Sequence, residues 1–378
     1  MASADDRALE LHRRLRGKVE SRPKAELDED TLGLLYSPGV GAASRAIADD
    51  PDAVTELTGR GNAVAVVSDG SAVLGLGDEG PLAALPVLEG KALLFRALAG
   101  IDAVPIALDV ADEDAFVAAV AAIAPGFGAI NLEDVAAPAC FEIERRLREA
   151  LDVPVVHDDQ HGTAIVVVAG LVNAFRVAGR PLEDARVVIV GAGASGNATA
   201  RLLHAHGVGA LAVTDSHGAL GPGRDDLDDV KADLVADLGL DDEGDVGDVL
   251  RGADAVVGLA TPGAFGLDDV RAMADDPVVF ALANPDPEVE PDDARAAGAV
   301  VVATGRSDHP NQVNNVLAFP GIFRGALDGG LREVDDAACL RAAKALAALV
   351  DDPRADRILP PVLDDGVVPA VARAVAGT

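Results

Sequence analysis

The chain has 378 residues, room for about two domains of ordinary size, and 49% of them are hydrophobic, so folded cores are expected and wholesale disorder is excluded. Its 63 Asp and Glu against 31 Lys and Arg leave a formal charge of −32, which argues against nucleic acid or an anionic membrane as partner and resembles proteins of salt-loving cytoplasms, where dissolved cations screen self-repulsion. Two cysteines, Cys140 and Cys339, are too few for a disulfide framework or a cysteine metal knuckle, and no apolar run approaches a membrane span or a cleavable leader, so a soluble cytoplasmic protein with both thiols in its core is expected.

Taken in chain order, helical spacing predicts a helix over 5–20, and Pro38, Gly39 and Gly41 predict a turn over 34–43. AVAVVSDGSAVLGLGDEG reads as two short strands around Asp69 and Gly70, a hairpin, with a helix to follow over 88–99. VPIAL, DEDAFVAAVAAIA and AINLEDV alternate apolar runs with helical periods, the mark of βαβ units on a parallel sheet. CFEIERRLREAL predicts a helix, and VPVVHDDQHGTA a buried strand with a polar end. An apolar helix over 164–178 leads to RVVIVGAGASGNATARLLHAHG, a strand, glycine turn and helix, and then to a second strand in ALAVTDSHG. ADAVVGLATPG, PVVFALANPDP and AVVVATGRSD repeat the pattern, whereas the acidic stretch 225–248 reads as a solvated helix and loop with little chemistry in it. The fold class is α/β: an N-terminal α/β domain over 1–157, then a Rossmann-like, doubly wound parallel-sheet domain with C-terminal helices over 158–378.

Gly191, Gly193 and Gly196 form GxGxxG between an apolar run and a helical pattern, the context a dinucleotide fingerprint requires. The first glycine permits the tight turn, the second admits the pyrophosphate to the backbone, and the third lets the helix pack closely with its N-terminus toward the phosphates. The whole turn, Gly191, Ala192, Gly193, Ala194, Ser195 and Gly196, is taken as cofactor-binding. Asp215 ends the second strand 19 residues past Gly196, where a carboxylate accepts from a ribose 2′-hydroxyl and favours NAD. Ser216 and Lys231 point toward NADP, so the coenzyme stays open.

Glu133 and Asp134 follow one apolar run, Asp158 and Asp159 another, so two strands deliver paired carboxylates at their C-terminal ends. Such oxygens suit Mg²⁺ or Mn²⁺, although acidic residues ahead of a helix also serve as N-caps. Lys91 sits among apolar residues in a chain with only five lysines, where desolvation would lower its pKa toward general-base work. Tyr36, the one tyrosine, precedes a tight turn and reads as a proton donor or an interior phenol. His157 and His161 have HxxxH spacing without HExxH, which argues against a zinc hydrolase.

LLYSPGV, VVSDGSAVLGLGDEG, EGKALLF, INLEDV, HDDQHGTA, VVIVGAGASG, ALANPDPE and ATGRSDHPNQVNNVLAFPGIFRGAL run in order from about residue 33 to 330 and resemble the short prokaryotic type of malic enzyme. The resemblance implies a malic-type N-terminal domain and oxidative decarboxylation of (S)-malate to pyruvate and CO₂ with reduction of NAD or NADP. It implies Glu133, Asp134 and Asp159 as ligands of Mg²⁺ or Mn²⁺, Lys91 as general base for the malate hydroxyl, Tyr36 as the acid that protonates C3, and Asp158 as the partner that tunes the lysine. Asn284, Asn315 and Asn314 match asparagines that touch substrate, Asn284 lying by the cofactor as well. Larger members carry an arginine where Ala72 stands here, so Arg306 is expected to meet the malate carboxylate instead. The chain is expected to lack the phosphotransacetylase-like domain that some relatives carry, and to form a dimer or larger homo-oligomer with the apolar helices 340–350 and 367–376 at its interface. Malolactic conversion of malate to lactate with bound NAD uses nearly the same site. An inert nucleotide sensor is a further alternative, and so is a plain dehydrogenase, the fold alone not fixing function.

Overall fold

The structure is a computed structural model in which residues 4–73 and 76–378 are described. Four short helices open the chain: α1 (Ala4–Leu15), α2 (Glu29–Leu35), α3 (Val40–Asp49) and α4 (Val54–Leu57). The helix expected over 5–20 stops at Leu15 because Arg16 and Gly17 take positive φ of 54° and 117°. The turn expected over 34–43 shrinks to residues 36–39, between two helices. Asp28 and Thr31 close a capping box on α2, and Gly39 lies so near the Leu34 carbonyl that a Cβ would fall 2.3 Å from its oxygen.

A first sheet comes next, built from β1 (Ala63–Ser68), α5 (Pro81–Ala99), β2 (Asp102–Ala107), α6 (Glu113–Ile123), β3 (Ala129–Leu132), α7 (Ala139–Ala150) and β4 (Val155–His157). Its strands are all parallel, in the order β2-β1-β3-β4. Both edges of β1 are thus taken by β2 and β3, so among the described residues the expected hairpin is not formed, residues 74 and 75 of its second strand lying outside them. Val64 to Val67 are fully buried, and a strand apolar on both faces belongs inside a parallel sheet covered by helices, not in a two-stranded ribbon. Past Ser68 the chain turns at Gly70 (φ 76°), and Val73 and Gly77 share only an isolated bridge. The helix expected over 88–99 begins earlier, at Pro81, a first-turn position where the missing N–H is no loss.

The long helix α8 (Asp158–Ala178) links this sheet to a second one. That sheet contains β5 (Arg186–Val190), α9 (Ala194–His206), β6 (Ala210–Asp215), β7 (Gly218–Ala219), α10 (Asp229–Leu238), α11 (Val246–Leu250), β8 (Ala255–Gly258), α12 (Leu267–Ala272), β9 (Val278–Ala281), α13 (Pro291–Ala296) and β10 (Val301–Thr304). The strand order is β10-β9-β8-β5-β6-β7, parallel except for the two-residue β7. Counted within the sheet, this is the doubly wound dinucleotide-binding order, with its switch point between β5 and β8.

Three helices complete the chain: α14 (Phe319–Asp328), α15 (Asp336–Ala348) and α16 (Val367–Ala376). Gly321 lets α14 and α16 meet, since a Cβ there would lie 2.5 Å from Val371 Cβ. The interface expected of 340–350 and 367–376 is not what these faces serve: Ala342, Leu346, Val371 and Val375 point into the protein's own core. That core joins the inner faces of both sheets through α5, α8 and the C-terminal helices, while smaller cores lie behind each sheet. Among the described residues, α8 alone is long and apolar enough to cross a membrane, and it is packed inside this core.

Candidate active site

β3 and β4 are adjacent and parallel, so Glu133–Asp134 and Asp158–Asp159 emerge side by side at one edge of the first sheet. Asp134 takes a left-handed conformation (φ 52°), which breaks the strand's alternation of side chains, and its N–H donates to Asp159 Oδ2 at 3.1 Å. Glu133, Asp134 and Asp159 thus bring one carboxylate oxygen each to within 4.8 Å of the others. Three hard, negatively charged donors so close together fit Mg²⁺ or Mn²⁺ and repel one another otherwise. Asn131, fully buried on β3, donates through Nδ2 to Glu133 Oε2 at 2.9 Å and fixes that carboxylate.

Asp158 is fully buried and faces Lys91, which rises from the middle of α5. Lys91 Nζ lies 2.5 Å from Asp158 Oδ2, 2.9 Å from Glu133 Oε1 and 4.2 Å above the Phe319 ring. Helix capping does not account for the aspartates: α8 starts at Asp158, and its N-cap, His157, makes no side-chain cap bond. The lowered lysine pKa expected from desolvation is corrected by the same geometry. Burial opposes the ammonium charge, but Asp158, Glu133 and Asp159 together outweigh it and hold Lys91 above its usual value. Burial in turn pushes the Asp158 carboxyl up to about 7 against the pull of Lys91, and raises Glu133.

Behind these groups stands Glu144 of α7. Its carboxylate accepts from the His157 backbone N–H at 3.0 Å and from Gln160 Nε2 at 3.1 Å, and pairs with His161 Nε2 at 2.8 Å. Burial opposes its charge, yet His161 beside it keeps Glu144 below the usual carboxylate value. Neither histidine of the HxxxH spacing is one of the three clustered donors: His161 belongs to Glu144, and the fully buried His157 ring stands behind Asp159, its Nε2 4.0 Å from Oδ2.

On the second sheet, the β5–α9 turn is shaped for a dinucleotide. A Cβ on Gly191 (φ 115°) would lie 2.4 Å from the Leu259 carbonyl oxygen, and one on Gly196 1.8 Å from that of Gly191. Gly193 faces open space at the N-terminus of α9, where a pyrophosphate fits. A cavity of about 1010 Å³ lies in front, lined by Gly191, Ala192, Gly193, Asp215, Lys231 and Thr261. Ala194 packs instead against the outer core of the first sheet, and Ser195 Oγ donates to the Asp159 carbonyl at 2.8 Å, tying the glycine turn to the carboxylate cluster. The stretch 225–248 is not free of chemistry, because Lys231 Nζ donates to Asp215 Oδ2 at 2.8 Å.

The remaining expected residues divide. Asn315 lies beside the first turn of α8, its Cβ 3.3 Å from where a Cβ on Gly162 would stand, and Asn284 lies exposed at the end of β9 against Gly305. Asn314 uses its side-chain oxygen on the Val316 N–H. Arg306 is bound to Asp308 at 2.6 and 2.9 Å, so its guanidinium is engaged away from the carboxylate cluster. Tyr36 does not join the others: it is 70% exposed, and its hydroxyl makes no hydrogen bond to the described residues.

Sequence reasoning passed over Asn131, Glu144, Arg224 and Glu288. Glu144 carried a signal, a carboxylate on the apolar stripe of Cys140, Ile143 and Leu147. Glu288 accepts from the Ala260 and Ala283 N–H groups at 3.0 and 3.1 Å and so pins the loops after β8 and β9 together; Gly258 makes room for it, since a Cβ there would lie 2.5 Å from its carboxyl carbon.

Comparison with known proteins gives a consistent picture. The family model for the malic enzyme NAD binding domain matches residues 160–377, and that for the malic enzyme N-terminal domain matches 16–114 and 111–148. The chain is 50% identical over 379 residues to a bifunctional malic/malolactic enzyme of Bacillus subtilis, covering 99% of this chain and 92% of that protein. It is 48% identical to an NADP-dependent malic enzyme of Halomonas elongata, covering 93% and 84%. The crystal structure of an NAD-dependent malic enzyme from Thermotoga maritima superposes with a TM-score of 0.94 at 44% identity, over 100% of both chains.

Proposed function

The chain belongs to the malic enzyme family, and we propose that it oxidatively decarboxylates (S)-malate to pyruvate and CO₂ while reducing NAD or NADP. The observation that carries this reading is the convergence of Lys91 with four carboxylates, tied to the glycine turn of the dinucleotide cavity by the Ser195 hydrogen bond to the Asp159 carbonyl. We assign Glu133, Asp134 and Asp159 to Mg²⁺ or Mn²⁺. A cation held there would supply positive charge to stabilise the oxygen anion that develops in oxidation and loss of CO₂, and a nicotinamide held by the glycine turn would supply the hydride acceptor.

Lys91 Nζ takes the proton of the 2-hydroxyl. Asp158 Oδ2, 2.5 Å away, positions and tunes that nitrogen, and a cation held by Glu133, Asp134 and Asp159 would offset the carboxylate charge that keeps Lys91 protonated. Asn315, beside the start of α8, and Asn284, after β9, are assigned to orient the substrate. The proton that C3 gains after CO₂ leaves is assigned to Tyr36, and its exposure supports a further step: a second copy of the chain brings Tyr36 to the site. Eleven of the sixteen large hydrophobic side chains exposed among the described residues lie between Leu9 and Leu57, and α2, α3 and α4 bury none of their own. We place the division between the two domains at His157 and Asp158. The −32 charge supports a working medium of high ionic strength, and two buried free thiols support a reducing compartment.

Purified protein with malate, Mn²⁺ and either coenzyme, in dilute and in molar KCl, is expected to form pyruvate in step with reduced coenzyme and to stop when the metal is chelated. Lactate without reduced coenzyme would replace this reading with a malolactic one, and no product at any salt would end it. Lys91→Ala is expected to keep coenzyme binding and lose turnover by about 10²- to 10⁴-fold. An active Lys91→Ala variant would remove the base assignment.

A further inference from the structure

The two free thiols of the chain stand in different surroundings. Cys339, at the start of α15, is only 2% exposed but lines a second cavity, of about 740 Å³, walled by α7, α8, α9, α10 and α15. Cys140 is sealed. It is fully buried, lines neither this cavity nor the dinucleotide one, and burial, with Glu144 and Asp159 nearby, pushes its thiol up to about 12.

Two neighbours give this cavity its chemistry. His161 pairs through Nε2 with Glu144 Oε1 at 2.8 Å and is hydrogen-bonded as well to the Cys339 side chain. One imidazole therefore joins the sulfur to the carboxylate that holds the His157 N–H and Gln160, at the turn bearing Asp158 and Asp159. Asn197 of α9 lines the same cavity and is 3% exposed. Its Oδ1 accepts from Arg201 Nε at 3.0 Å, but its Nδ2 has no hydrogen-bond partner among the described residues. A buried NH₂ without an acceptor is costly, and a carbonyl or carboxylate oxygen entering the cavity would relieve it. Arg145, Arg148 and Arg201, which also line it, are each paired with acidic neighbours, so the surroundings are charged but balanced and suit a zwitterion.

We infer that Cys339 is a modification site for small disulfides of amino-acid or peptide thiols, with Asn197 Nδ2 donating to a carbonyl or carboxylate oxygen of the entering molecule. The step is thiol–disulfide exchange. The Cys339 sulfur bonds to one sulfur of the disulfide, the bond between the two original sulfurs breaks, and the thiol proton leaves with the released half as a free thiol. Cys339 is oxidised and the released half reduced. A cavity of this size holds such a half, a requirement that a small oxidant would not impose. The adduct takes the sulfur from His161 and crowds its ring, so His161 no longer holds Glu144 and the first turn of α8 loosens. Resting on the metal assignment above, this second consequence is a weaker hold on Mn²⁺.

The test locates the adduct and then reads metal binding. Glutathione disulfide is added to the folded full-length protein, and adducts are mapped by peptide mass spectrometry. Cys339 is expected to carry the adduct and Cys140 none, dithiothreitol removing it, whereas both react once the chain is unfolded in guanidinium. Asn197→Leu, similar in size but without the NH₂, should slow the reaction by about two- to tenfold, the loss of one hydrogen bond. The same variant should react normally with dimethyl disulfide, which carries no oxygen. Mn²⁺ affinity of the adduct, by calorimetry, is expected to fall about 10- to 100-fold, the effect of disturbing a group that orients metal ligands. Cys339→Ser is expected to bind Mn²⁺ as the native protein does, with or without the disulfide. An adduct on Cys140 as readily as on Cys339, or on neither in the folded protein, would overturn the site. An adduct on Cys339 with Mn²⁺ affinity intact would overturn its link to α8. A native protein that binds no Mn²⁺ would overturn the metal assignment instead, with the adduct standing on its own.

Discussion

Lys91 and Glu144 show how far a single side chain can be read without its surroundings. Lys91 stood out because lysine is scarce here and its flanks are apolar, but its environment came from residues distant in sequence, Asp158 lying 67 positions on. Desolvation alone predicts a depressed lysine, and three carboxylates reverse the sign. Glu144 was overlooked for the opposite reason, since a glutamate in an amphipathic helix is usually solvated, and only the fold shows that it holds the turn bearing Asp158 and Asp159. Glu144→Gln keeps shape but removes the charge that pairs with His161, leaving the first turn of α8 less firmly placed. Mn²⁺ affinity, measured by calorimetry, is expected to fall about 10- to 100-fold, the usual effect of losing a group that orients metal ligands. An unchanged affinity would show that Glu144 serves only packing.

At the scale of elements, strands and helices with strong periodicity were legible, and their partners were not. The run AVAVV announced a strand, but whether it pairs with the neighbouring SAVLGLG segment or with strands roughly 40 or more residues away depends on helices covering both faces. The glycine turn was legible because its steric demands are local: a Cβ on Gly196 collides with its own loop. Glu288 was not, because it acts between two loops. Replacing it by Gln leaves one oxygen for two backbone N–H groups and sets an NH₂ against the other, a cost of about 1–3 kcal/mol for an unsatisfied buried donor. Since Ala260 lines the cavity and Ala283 adjoins Asn284, Glu288→Gln is expected to lower the melting temperature and also to weaken NADH binding. A lower melting temperature with NADH affinity intact would confine Glu288 to stability.

For the whole molecule, the sequence points to an oligomer with the C-terminal helices at its interface, and burial in the fold points instead to the N-terminal helices as the face we propose for pairing. The C-terminal helices are as apolar as an interface would be, yet they close the protein's own core, whereas the N-terminal helices, with polar residues interspersed, leave their leucines uncovered. The uncovered apolar face carries Tyr36, and Tyr36 makes no contact with the Lys91 cluster of its own chain, so we propose a closed pair of copies in which each supplies the other's tyrosine. This arrangement has a consequence that no single-chain site shares. Tyr36→Phe and Lys91→Ala are each expected to be nearly inactive. Mixed, unfolded and refolded together, half of the pairs carry one of each, and every such pair holds one doubly substituted site and one site with both native residues. About a quarter of native activity should therefore return, provided pairing is random. If Tyr36 instead reached the Lys91 of its own chain, every site in the mixture would lack one residue or the other, and activity would stay at the level of the separate variants.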